Sequence, residues 1–569
     1  MTNLYFLPLS GQDENGSGCY ALIIDDEIYL FDAGAKRPFQ NTLGVKKILP
    51  DTNWLALNKN KIKAIFIGEP SSLTTDGLYY LVNKVNPNLP VYVTELGKMF
   101  IEANFNYEIH KLNDNFTFNF KIIQLKDPIY INNRKIIPFS TFSPIPYSVG
   151  FLIKDIDGDI VIINNFIINN DYSKLFNNGL LDLTLLTKNV KLLVAGVGNV
   201  SNSKTFTAPG FHIREFMYDQ ISVAKGRVIV ALYDHELYYL YALASVAKQC
   251  HKPFIVYSLT SVNVFAASIK QKLFNSNNLV TLPLSEMNNS DNAIIVIIAK
   301  ISELYPLLID IINEDDKKLS IKKDDLFILC TNKIAGIEKL EADTIDAFTR
   351  SEIPMIKIPK TTLPIRASVE DQKFLIKLLK PKHIILTNGL YRNFIDYTNA
   401  IITTGINPNC VHIVYNGEVF DVNHPEAKLE QIVINEKYVG SSSLNSEIDY
   451  PILFEREKMS TDGFANAIVL FQINKDKIKL LNFSLNLLGV VDKTFLESNK
   501  YKEILKELLN KLNNHFDSLS TKDYDNKELK NNIKKITEKY LEKQLNKKPL
   551  VLVILSQIKI EKDNTKRLN

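Results

Sequence analysis

The sequence has few residues of the kinds that build metal centres or disulfide frameworks. Its four cysteines, at positions 19, 250, 330 and 410, show no C-x-x-C spacing, which favours buried thiols over zinc ligands or disulfide bonds and fits a reducing compartment. The eight histidines form no H-x-H or H-x-x-x-H pair, so they predict no histidine metal site. His235 is the one histidine that we expect at a strand end facing a cleft.

Long apolar runs are also missing. The most apolar segment, residues 293–299, is of strand length and is closed by Lys300, so the sequence contains no candidate membrane span. The first seven residues have no basic region and are soon followed by Asp13 and Glu14, a pattern unlike a secretory signal. We therefore expect a cytoplasmic protein with no membrane association.

What the sequence does have is length and an uneven charge distribution. Its 569 residues are too many for one hydrophobic core, and a prior of about 150 residues per domain predicts three or four units. Residues 497–569 hold 17 Lys and Arg against 11 Asp and Glu, a charge of +6, which leaves 50 against 52, or −2, for residues 1–496. The C-terminal segment is therefore the basic part of the chain.

Three patterns of apolar residues follow one another along the chain. The first third is strand-rich, with a hairpin around Asp25 and Asp26, and with a strand, a polar loop and a helix in succession over residues 64–81. From Arg227 onward, apolar strands alternate with amphipathic helices, which predicts a parallel, doubly wound sheet. A turn-rich stretch near 430–460 predicts a linker, and after it come a hairpin, two helices and a final strand.

The order and spacing of these segments resemble those of the ribonuclease J family, whose members are β-lactamase-fold nucleases with an inserted β-CASP domain. The resemblance rests on D-D-E-I-Y-L-F-D-A-G at 25–34, L-G-V-K-K-I-L-P-D at 43–51, S-P-I-P-Y-S-V-G at 143–150, K-P-K-H-I-I-L-T-N-G-L-Y-R at 380–392 and L-N-K-K-P-L-V-L-V-I-L at 545–555. It implies an α/β fold, namely a metallo-β-lactamase αββα sandwich with an inserted doubly wound β-CASP domain and a small α+β C-terminal domain.

The resemblance also implies domain boundaries. We expect the metallo-β-lactamase domain at 1–210, the β-CASP domain at 211–355, a return segment of the first domain at 356–430, a linker at 431–460 and the C-terminal domain at 461–569.

The resemblance further implies where two Zn or Mn ions would bind, and there the residues differ from the family pattern. In the family, the loop H-x-H-x-D-H and three later residues bind the metal ions. The corresponding positions of this sequence hold Glu69, Ser71, Leu73, Thr74, Ser143, Asn165 and Asn388. Hydroxyl and carboxamide groups are poor ligands for these ions compared with imidazole and carboxylate. We therefore expect no cofactor, no metal and no catalytic residue at these positions.

The substrate loops of the family are altered as well. The family's phosphate-gripping loop H-V-S-G-H-A-S corresponds to residues 362–368, whose RNA-binding candidates are Thr362, Pro364, Arg366 and Ser368. The family's F-A-S-N corresponds to residues 233–236, which include His235 between Asp234 and Glu236. Acids at a phosphate position repel RNA, so we expect any RNA contact at the basic lysines of the C-terminal segment, Lys530, Lys534, Lys547 and Lys548.

Each of these assignments has a simpler structural alternative. Glu69 and Asp76 could join Asp32 in a magnesium site, but acids near a helix N-terminus more often only stabilise the helix. Arg366 could hold a phosphate or form an ordinary ion pair. The C-terminal lysines could be a solvated helix face, and His235 a structural histidine.

Three functional hypotheses remain open. The first is a catalytically inactive ribonuclease J-like subunit in RNA processing and decay that contacts single-stranded RNA and joins an active ribonuclease J paralogue in an oligomer. The second is a weak metal-dependent ribonuclease that uses carboxylates such as Asp32 and Glu69. The third is a β-lactamase-fold binding module without an RNA function.

Overall fold

The computed structural model describes residues 2–558 except for residues 15, 39–41, 112–115, 169–173, 199, 201–204, 333, 335, 360, 361, 364, 365, 428, 430, 441–446, 475, 476 and 521–524. The chain divides into two compact units, residues 1–447 and residues 448–569.

The first part of the larger unit is mostly strands, as its short apolar runs separated by turns predict. Its elements are β1 (Leu4–Ser10), β2 (Cys19–Ile24), β3 (Glu27–Phe31), β4 (Val45–Pro50), α1 (Asn53–Leu57), β5 (Ile62–Phe66), α2 (Ser72–Thr75), α3 (Leu78–Val85), β6 (Pro90–Val93), α4 (Glu95–Lys111), β7 (Asn119–Ile122), β8 (Ile129–Ile131), β9 (Arg134–Ser140), β10 (Val149–Lys154), β11 (Asp159–Ile163), α5 (Leu180–Leu186) and β12 (Val190–Gly196).

The middle of the chain alternates helices and strands, and a return segment follows it. The middle consists of α6 (Gly210–Val223), β13 (Val228–Tyr233), α7 (Tyr238–Cys250), β14 (Phe254–Tyr257), α8 (Leu259–Lys270), β15 (Ile294–Ala299), α9 (Ile301–Ile312), β16 (Leu326–Leu329), α10 (Glu338–Arg350) and β17 (Met355–Lys357). The return segment consists of α11 (Val369–Leu379), β18 (His383–Thr387), α12 (Tyr391–Ile402), β19 (Val411–His412), β20 (Phe420–Asp421) and β21 (Glu436–Gly440).

Two seven-stranded sheets pack face to face. The first has the order β20-β1-β2-β3-β5-β6-β7 and the second the order β19-β18-β12-β11-β10-β9-β8. Phe31 and Phe66 of the first sheet meet Phe151 of the second, with ring centroids 5.7 and 5.1 Å away. Helices α3 and α4 cover the outer face of the first sheet, and α5, α11 and α12 that of the second. The layers are therefore helix, sheet, sheet, helix, because each sheet has two apolar faces to bury.

The middle segment forms a five-stranded sheet in which every pairing is parallel, with the order β14-β15-β13-β16-β17. Helices α6, α7 and α8 pack on one face, and α9 and α10 on the other. Every residue of β13 is buried, as expected for a strand covered on both faces. The predicted doubly wound sheet is confirmed, and its carboxyl edge is where such sheets bind ligands.

The smaller unit is an α+β domain. The boundary strand β22 (Glu447–Ile448) leads into α13 (Tyr450–Asp462), β23 (Phe464–Asn474), β24 (Lys477–Leu488), α14 (Lys493–Leu496), α15 (Asn499–Asp517), α16 (Asn526–Leu545) and β25 (Leu550–Gln557). Its sheet has the order β24-β23-β25. Leu508 and Leu512 of α15 and Leu529 and Ile533 of α16 are buried in its core, because these residues recur at helical spacing.

The predicted linker, residues 431–460, contains more regular structure than its turn-rich sequence indicates. Strand β21 pairs antiparallel with β4, and α13 begins at Tyr450 with a proline at its first turn. Residues 441–446, within the predicted linker, lie outside the described residues. Across the described part of the chain, no helix has both the length and the apolar character that crossing a bilayer requires.

Candidate functional site

The loop after β5 satisfies its own hydrogen-bonding groups. Ser71 is the N-cap of α2 and forms a capping box with Thr74. The backbone N–H of Ser71 donates to Thr74 Oγ1 at 3.1 Å, and that hydroxyl donates to the backbone carbonyl of Glu69. At two of the expected ligand positions, hydroxyl groups thus stabilise a single turn of helix.

Leu73, a third position of the loop, faces an apolar environment. Its side chain packs against the core cluster formed by the inserted sheet with α9 and α10. A leucine has no lone pair to offer a metal ion, and here it joins the loop to the inserted domain by burial of apolar surface.

Two buried carboxylates, Asp32 and Glu69, follow strands of the first sheet, and each accepts a hydrogen bond from an asparagine that follows β11 of the second sheet. Asn165 Nδ2 donates to Glu69 Oε1 at 3.0 Å, and Asn164 Nδ2 donates to Asp32 Oδ2. Burial raises the pKa of Asp32 well above its ordinary value, and the nearby charge of Glu69 raises this pKa further. The two acids are therefore close enough to disfavour simultaneous ionisation.

Ser143 and Asn388 also bond to protein neighbours. Ser143 Oγ lies 2.9 Å from Ser148 Oγ and accepts a hydrogen bond from the backbone of Ile145 at 3.1 Å. Asn388 Oδ1 accepts from the hydroxyl of Tyr20 at 2.8 Å. The fully buried Tyr20 has its pKa raised well above the ordinary value by burial and by Asp32, so its hydroxyl stays a donor at neutral pH.

These residues do not fit the pair of ions that the resemblance implies. The described residues contain no group of three or more His, Cys, Asp or Glu placed to hold a metal ion. Asp32 Oδ1, Asn164 Oδ1 and Asn165 Oδ1 are, however, buried oxygens without a hydrogen-bond partner in the described structure. Oxygen ligands of this kind suit Mg²⁺ or Mn²⁺ rather than Zn²⁺.

Asp76, which the sequence offered as a helix-stabilising acid or a metal ligand, is instead one half of a buried ion pair. Arg37 Nε donates to Asp76 Oδ2 at 2.9 Å, and Lys300 Nζ lies 4.0 Å from Asp76 Oδ1. Arg37 holds the pKa of Asp76 well below its ordinary value against the cost of burial. Sequence reasoning missed Arg37, because no local pattern connects positions 37 and 76.

The acids at the end of β13 point inward. Glu236 is fully buried and accepts a hydrogen bond from Asn332 Nδ2 at 2.5 Å, and burial raises its pKa to about 6. Asp234 accepts from Ser72 Oγ at 3.2 Å. His235 lies between them, with Nδ1 3.5 Å from Asp234 Oδ1, and its ring stacks on that of Tyr233 at 5.4 Å.

Residues 362–368, which correspond to the family's phosphate-gripping loop, also form contacts within the protein. Ser368 is fully buried and forms a capping box with Asp371 at the start of α11. The Arg366 guanidinium is near enough to lower the pKa of Glu236 against the effect of burial. Thr362 is half-buried in a short turn, and Pro364 lies outside the described residues. The structure thus brings Arg366 toward the acids at the end of β13.

The four C-terminal lysines differ in their surroundings. Lys530 is exposed and Lys534 half-buried on α16. Lys547 Nζ donates to the backbone carbonyl of Val490, and Lys548 Nζ pairs with Glu542 Oε1 at 2.7 Å. Lys547 and Lys548 would have to break these bonds before their ammonium groups could contact a phosphate.

Comparisons with known proteins agree with this architecture. Residues 451–558 match the family model of the ribonuclease J C-terminal domain. The chain is 36% identical to an uncharacterized protein, MG423, of Mycoplasma genitalium, over 98% of this chain and all of that protein. It is 24% identical to ribonuclease J2 of Bacillus subtilis, over 84% of this chain and 86% of the relative. A crystal structure of a protein of unknown function from Enterococcus faecalis shares the fold, with a TM-score of 0.51 at 12% identity over 74% of this chain and all of that chain.

The class of protein is therefore a two-sheet α/β sandwich of the metallo-β-lactamase type with an inserted β-CASP sheet and a C-terminal ribonuclease J domain. The chain belongs to the ribonuclease J family. This membership corrects one expectation. The prediction that the chain has no cofactor is wrong, because the ribonuclease J family is normally metal-dependent.

Proposed function

We propose that this chain is a ribonuclease J-like protein of RNA processing and decay that does not itself cleave RNA. It contacts single-stranded RNA and acts together with a catalytically intact ribonuclease J. The observation that carries the proposal is the pairing of both buried carboxylates with amide donors, Asn164 with Asp32 and Asn165 with Glu69.

Amide donors at these positions work against hydrolysis. A metal-bound hydroxide needs ligands that present lone pairs and a base that is free to take a proton. Here the N–H groups of two asparagines point at the carboxylate oxygens instead. The hydroxyls of Ser71, Thr74 and Ser143 bond to their own loops.

A nuclease assay tests this proposal. The purified chain is incubated with 5′-labelled single-stranded RNA in Mg²⁺, Mn²⁺ or Zn²⁺, alone and with an active ribonuclease J of the same cell. We expect no cleavage by the chain alone in any metal, and altered cleavage by the mixture. Cleavage by the chain alone that is lost in Glu69→Ala would contradict the proposal.

A second candidate function is a weak metal-dependent ribonuclease. It is favoured by the three unpartnered buried oxygens of Asp32, Asn164 and Asn165, which suit one Mg²⁺ or Mn²⁺ ion. In that case Asp32→Asn, which removes the charge, should abolish both the cleavage and the binding of that ion.

The smaller unit is the part of the chain that we propose for assembly with the partner. Its sheet has helices α15 and α16 on one face, while Leu488, Leu552 and Ile554 remain exposed. Leu552 and Ile554 lie on one face of β25, and contiguous exposed apolar surface often marks a protein interface. Light scattering of mixtures tests this, because removal of residues 447–569 should abolish the hetero-oligomer. We also propose a cytoplasmic location, because the four cysteines are free thiols, as is usual in a reducing compartment.

A further inference from the structure

A cavity of about 430 Å³ opens beside helix α3 in the larger unit. Its walls come mainly from α3 and from the paired strands β4 and β21. This volume is usual for a small-molecule site, for which about 300–1,000 Å³ is typical. No residue considered above for metal or RNA binding lines this cavity.

The register of these elements explains how the cavity forms. Leu49 of β4 pairs with Lys437 of β21 in an antiparallel ladder, and the side chains of directly opposite residues lie on the same face of a sheet. On α3, Tyr80 and Lys84 are four residues apart, so they lie on the same face of the helix. All four side chains line the cavity. The fold thus brings together Lys84 and Lys437, which are far apart in sequence.

Much of the cavity wall is apolar or aromatic. Leu49, Tyr79, Tyr80 and Leu81 line it. The rings of Tyr79 and Tyr80 meet edge to face with their centroids 5.6 Å apart, and Lys47 Nζ lies 5.6 Å from the Tyr80 ring centroid. These contacts hold the rings in place, and such a wall favours a ligand with an apolar or aromatic body.

Two lysine ammonium groups meet at this cavity. Lys84 and Lys437 both line it and lie within hydrogen-bonding reach of each other. The hydrogen bond with Lys437 and, second, burial lower the pKa of Lys84, because two neighbouring like charges disfavour each other. An anion between the two ammonium groups attracts both and removes this repulsion.

The carboxylates beside these lysines compensate them unequally. Lys437 Nζ lies 3.2 Å from Asp51 Oδ1, whose side chain is buried. Lys84 Nζ lies 3.7 Å from Glu447 Oε1, and the Glu447 side chain is 57% exposed, so solvent weakens this attraction. Lys84 is therefore the less compensated cation. The two carboxylates repel a doubly charged ligand more than a singly charged one, which favours a carboxylate over a phosphate ester.

Thr52 adds a polar atom without a partner. It lines the cavity and is 7% exposed. Thr52 is the N-cap of α1, but its side chain forms no capping hydrogen bond, and its Oγ1 is buried without a partner in the described structure. Because it follows Asp51, the partner of Lys437, it belongs to the lysine end of the cavity. An unpaired buried hydroxyl costs free energy, so such groups commonly bond to a ligand or to water.

We propose that this cavity binds a small carboxylic acid with an apolar or aromatic body. The carboxylate lies between the ammonium groups of Lys84 and Lys437, and Thr52 Oγ1 donates a hydrogen bond to it. The body of the ligand packs against Tyr80 and Leu81. This inference goes beyond the proposed function and does not depend on whether the chain cleaves RNA.

The test is calorimetric titration of the full-length chain with 4-phenylbutyrate. Its uncharged amide and acetate, which lacks the aromatic body, are the comparison ligands, and we expect each to bind about tenfold more weakly or less. Lys84→Gln should weaken binding of the acid by about tenfold to a hundredfold, the loss typical of a hydrogen bond to a charged group. Lys61→Gln is the matched control. It breaks an exposed pair with Asp26 at 3.2 Å and should bind the acid as the wild type does.

Two further measurements separate binding from folding. The Thr52 hydroxyl has no partner in the described structure, so Thr52→Val should keep or raise the melting temperature without ligand while affinity for the acid falls. Acetylation of lysines followed by mass spectrometry locates the ligand, because the bound acid should protect Lys84 and leave Lys61 reactive. The proposal is overturned if the acid does not bind at millimolar concentration, if it binds to Lys84→Gln and Thr52→Val as tightly as to the wild type, or if the amide binds as tightly as the acid.

Discussion

Asn165 Nδ2 donates a 3.0 Å hydrogen bond to Glu69 Oε1 where loops of the two sheets meet. Asn165 follows β11 of the second sheet, and Glu69 follows β5 of the first sheet, so this bond, like that of Asn164 to Asp32, connects the two halves of the sandwich. A neutral donor and a carboxylate thus connect these loops directly.

The first prediction concerns Asn165→Asp. The substitution places a carboxylate where an amide donor now contacts Glu69, and like charges at this distance repel each other strongly in a buried site. We expect the free energy of unfolding to fall by about 1–3 kcal/mol without divalent cations. Mg²⁺ or Mn²⁺ should restore part of this loss, because two carboxylates are good ligands for either ion. Thermal unfolding with and without each ion is the measurement.

The control for this experiment is Asn289→Asp. Asn289 Nδ2 donates to Glu286 at 3.4 Å at an exposed position, where solvent screens the charges. Its effect should remain within about 0.5 kcal/mol and should not depend on the ion. An Asn165→Asp protein as stable as the wild type in the absence of divalent ions would show that the bond to Glu69 does not form.

A second prediction concerns Arg37→Gln. The Asp76 side chain is 2% exposed and that of Arg37 10% exposed, so the substitution leaves a buried carboxylate with only the more distant cations Lys47 and Lys300. Breaking a buried pair in this way typically costs about 3–5 kcal/mol. The exposed pair of Arg350 and Asp346, at 2.8 Å, is the matched control, and Arg350→Gln should cost no more than about 0.5 kcal/mol.

The pH dependence of Arg37→Gln follows from the direction of the Asp76 shift. Because folding lowers the pKa of Asp76, the ion pair stabilises the wild type fully above the unfolded pKa of about 4. This stabilisation is lost as the pH falls through the lower pKa of the folded state. The wild type and the variant should therefore differ most near neutral pH and converge in acid. Denaturant melts across this range measure the difference, and a constant difference would contradict the assigned ion pair.

The sequence predicted the fold well because its signals are periodic and local. The short apolar strands β2 and β3 around the turn at Asp25 and Asp26, and the wholly apolar runs of β13 and β15, indicate the two kinds of sheet directly. The site was harder to predict, because its contacts join distant positions. The substitution of Asn165 for a ligand was visible in sequence, but its bond to Glu69 and the pair of Arg37 with Asp76 depend on loops that only the fold brings together.

A third prediction concerns Glu236, whose burial raises its pKa to about 6. A carboxyl with a raised pKa is most favourable to folding while it is protonated, so its contribution is present below the unfolded value of about 4.3 and is lost as the pH rises through 6. Glu236→Gln keeps the shape without the charge. It should be more stable than the wild type above pH 6, by about 2 kcal/mol at most, with the gap closing in acid. Urea melts at several pH values test this. A stability difference that does not change with pH would show that Glu236 is not the group with the raised pKa.

The last prediction is that the contact with RNA lies at the basic smaller unit and not at the former phosphate loop. Arg366 faces the acids at the end of β13, whereas Lys530 lies exposed on α16. Contacts of lysines with backbone phosphates give weak binding that does not depend on sequence and is lost with salt. Each neutralised phosphate adds about 0.7 to the slope of log affinity against log salt for a single strand.

Fluorescence anisotropy on a labelled single-stranded RNA at several salt concentrations measures that slope. Changing Lys530 and Lys534 to Gln should lower it by about 1.4, the value for two phosphates. Changing Lys547 and Lys548 should lower it less, because these lysines already bond to Val490 and Glu542. Arg366→Gln should leave the slope unchanged. If only Arg366→Gln weakens binding, the old loop is the RNA site, and if none of the three variants changes a salt-dependent affinity, the contact lies outside both surfaces.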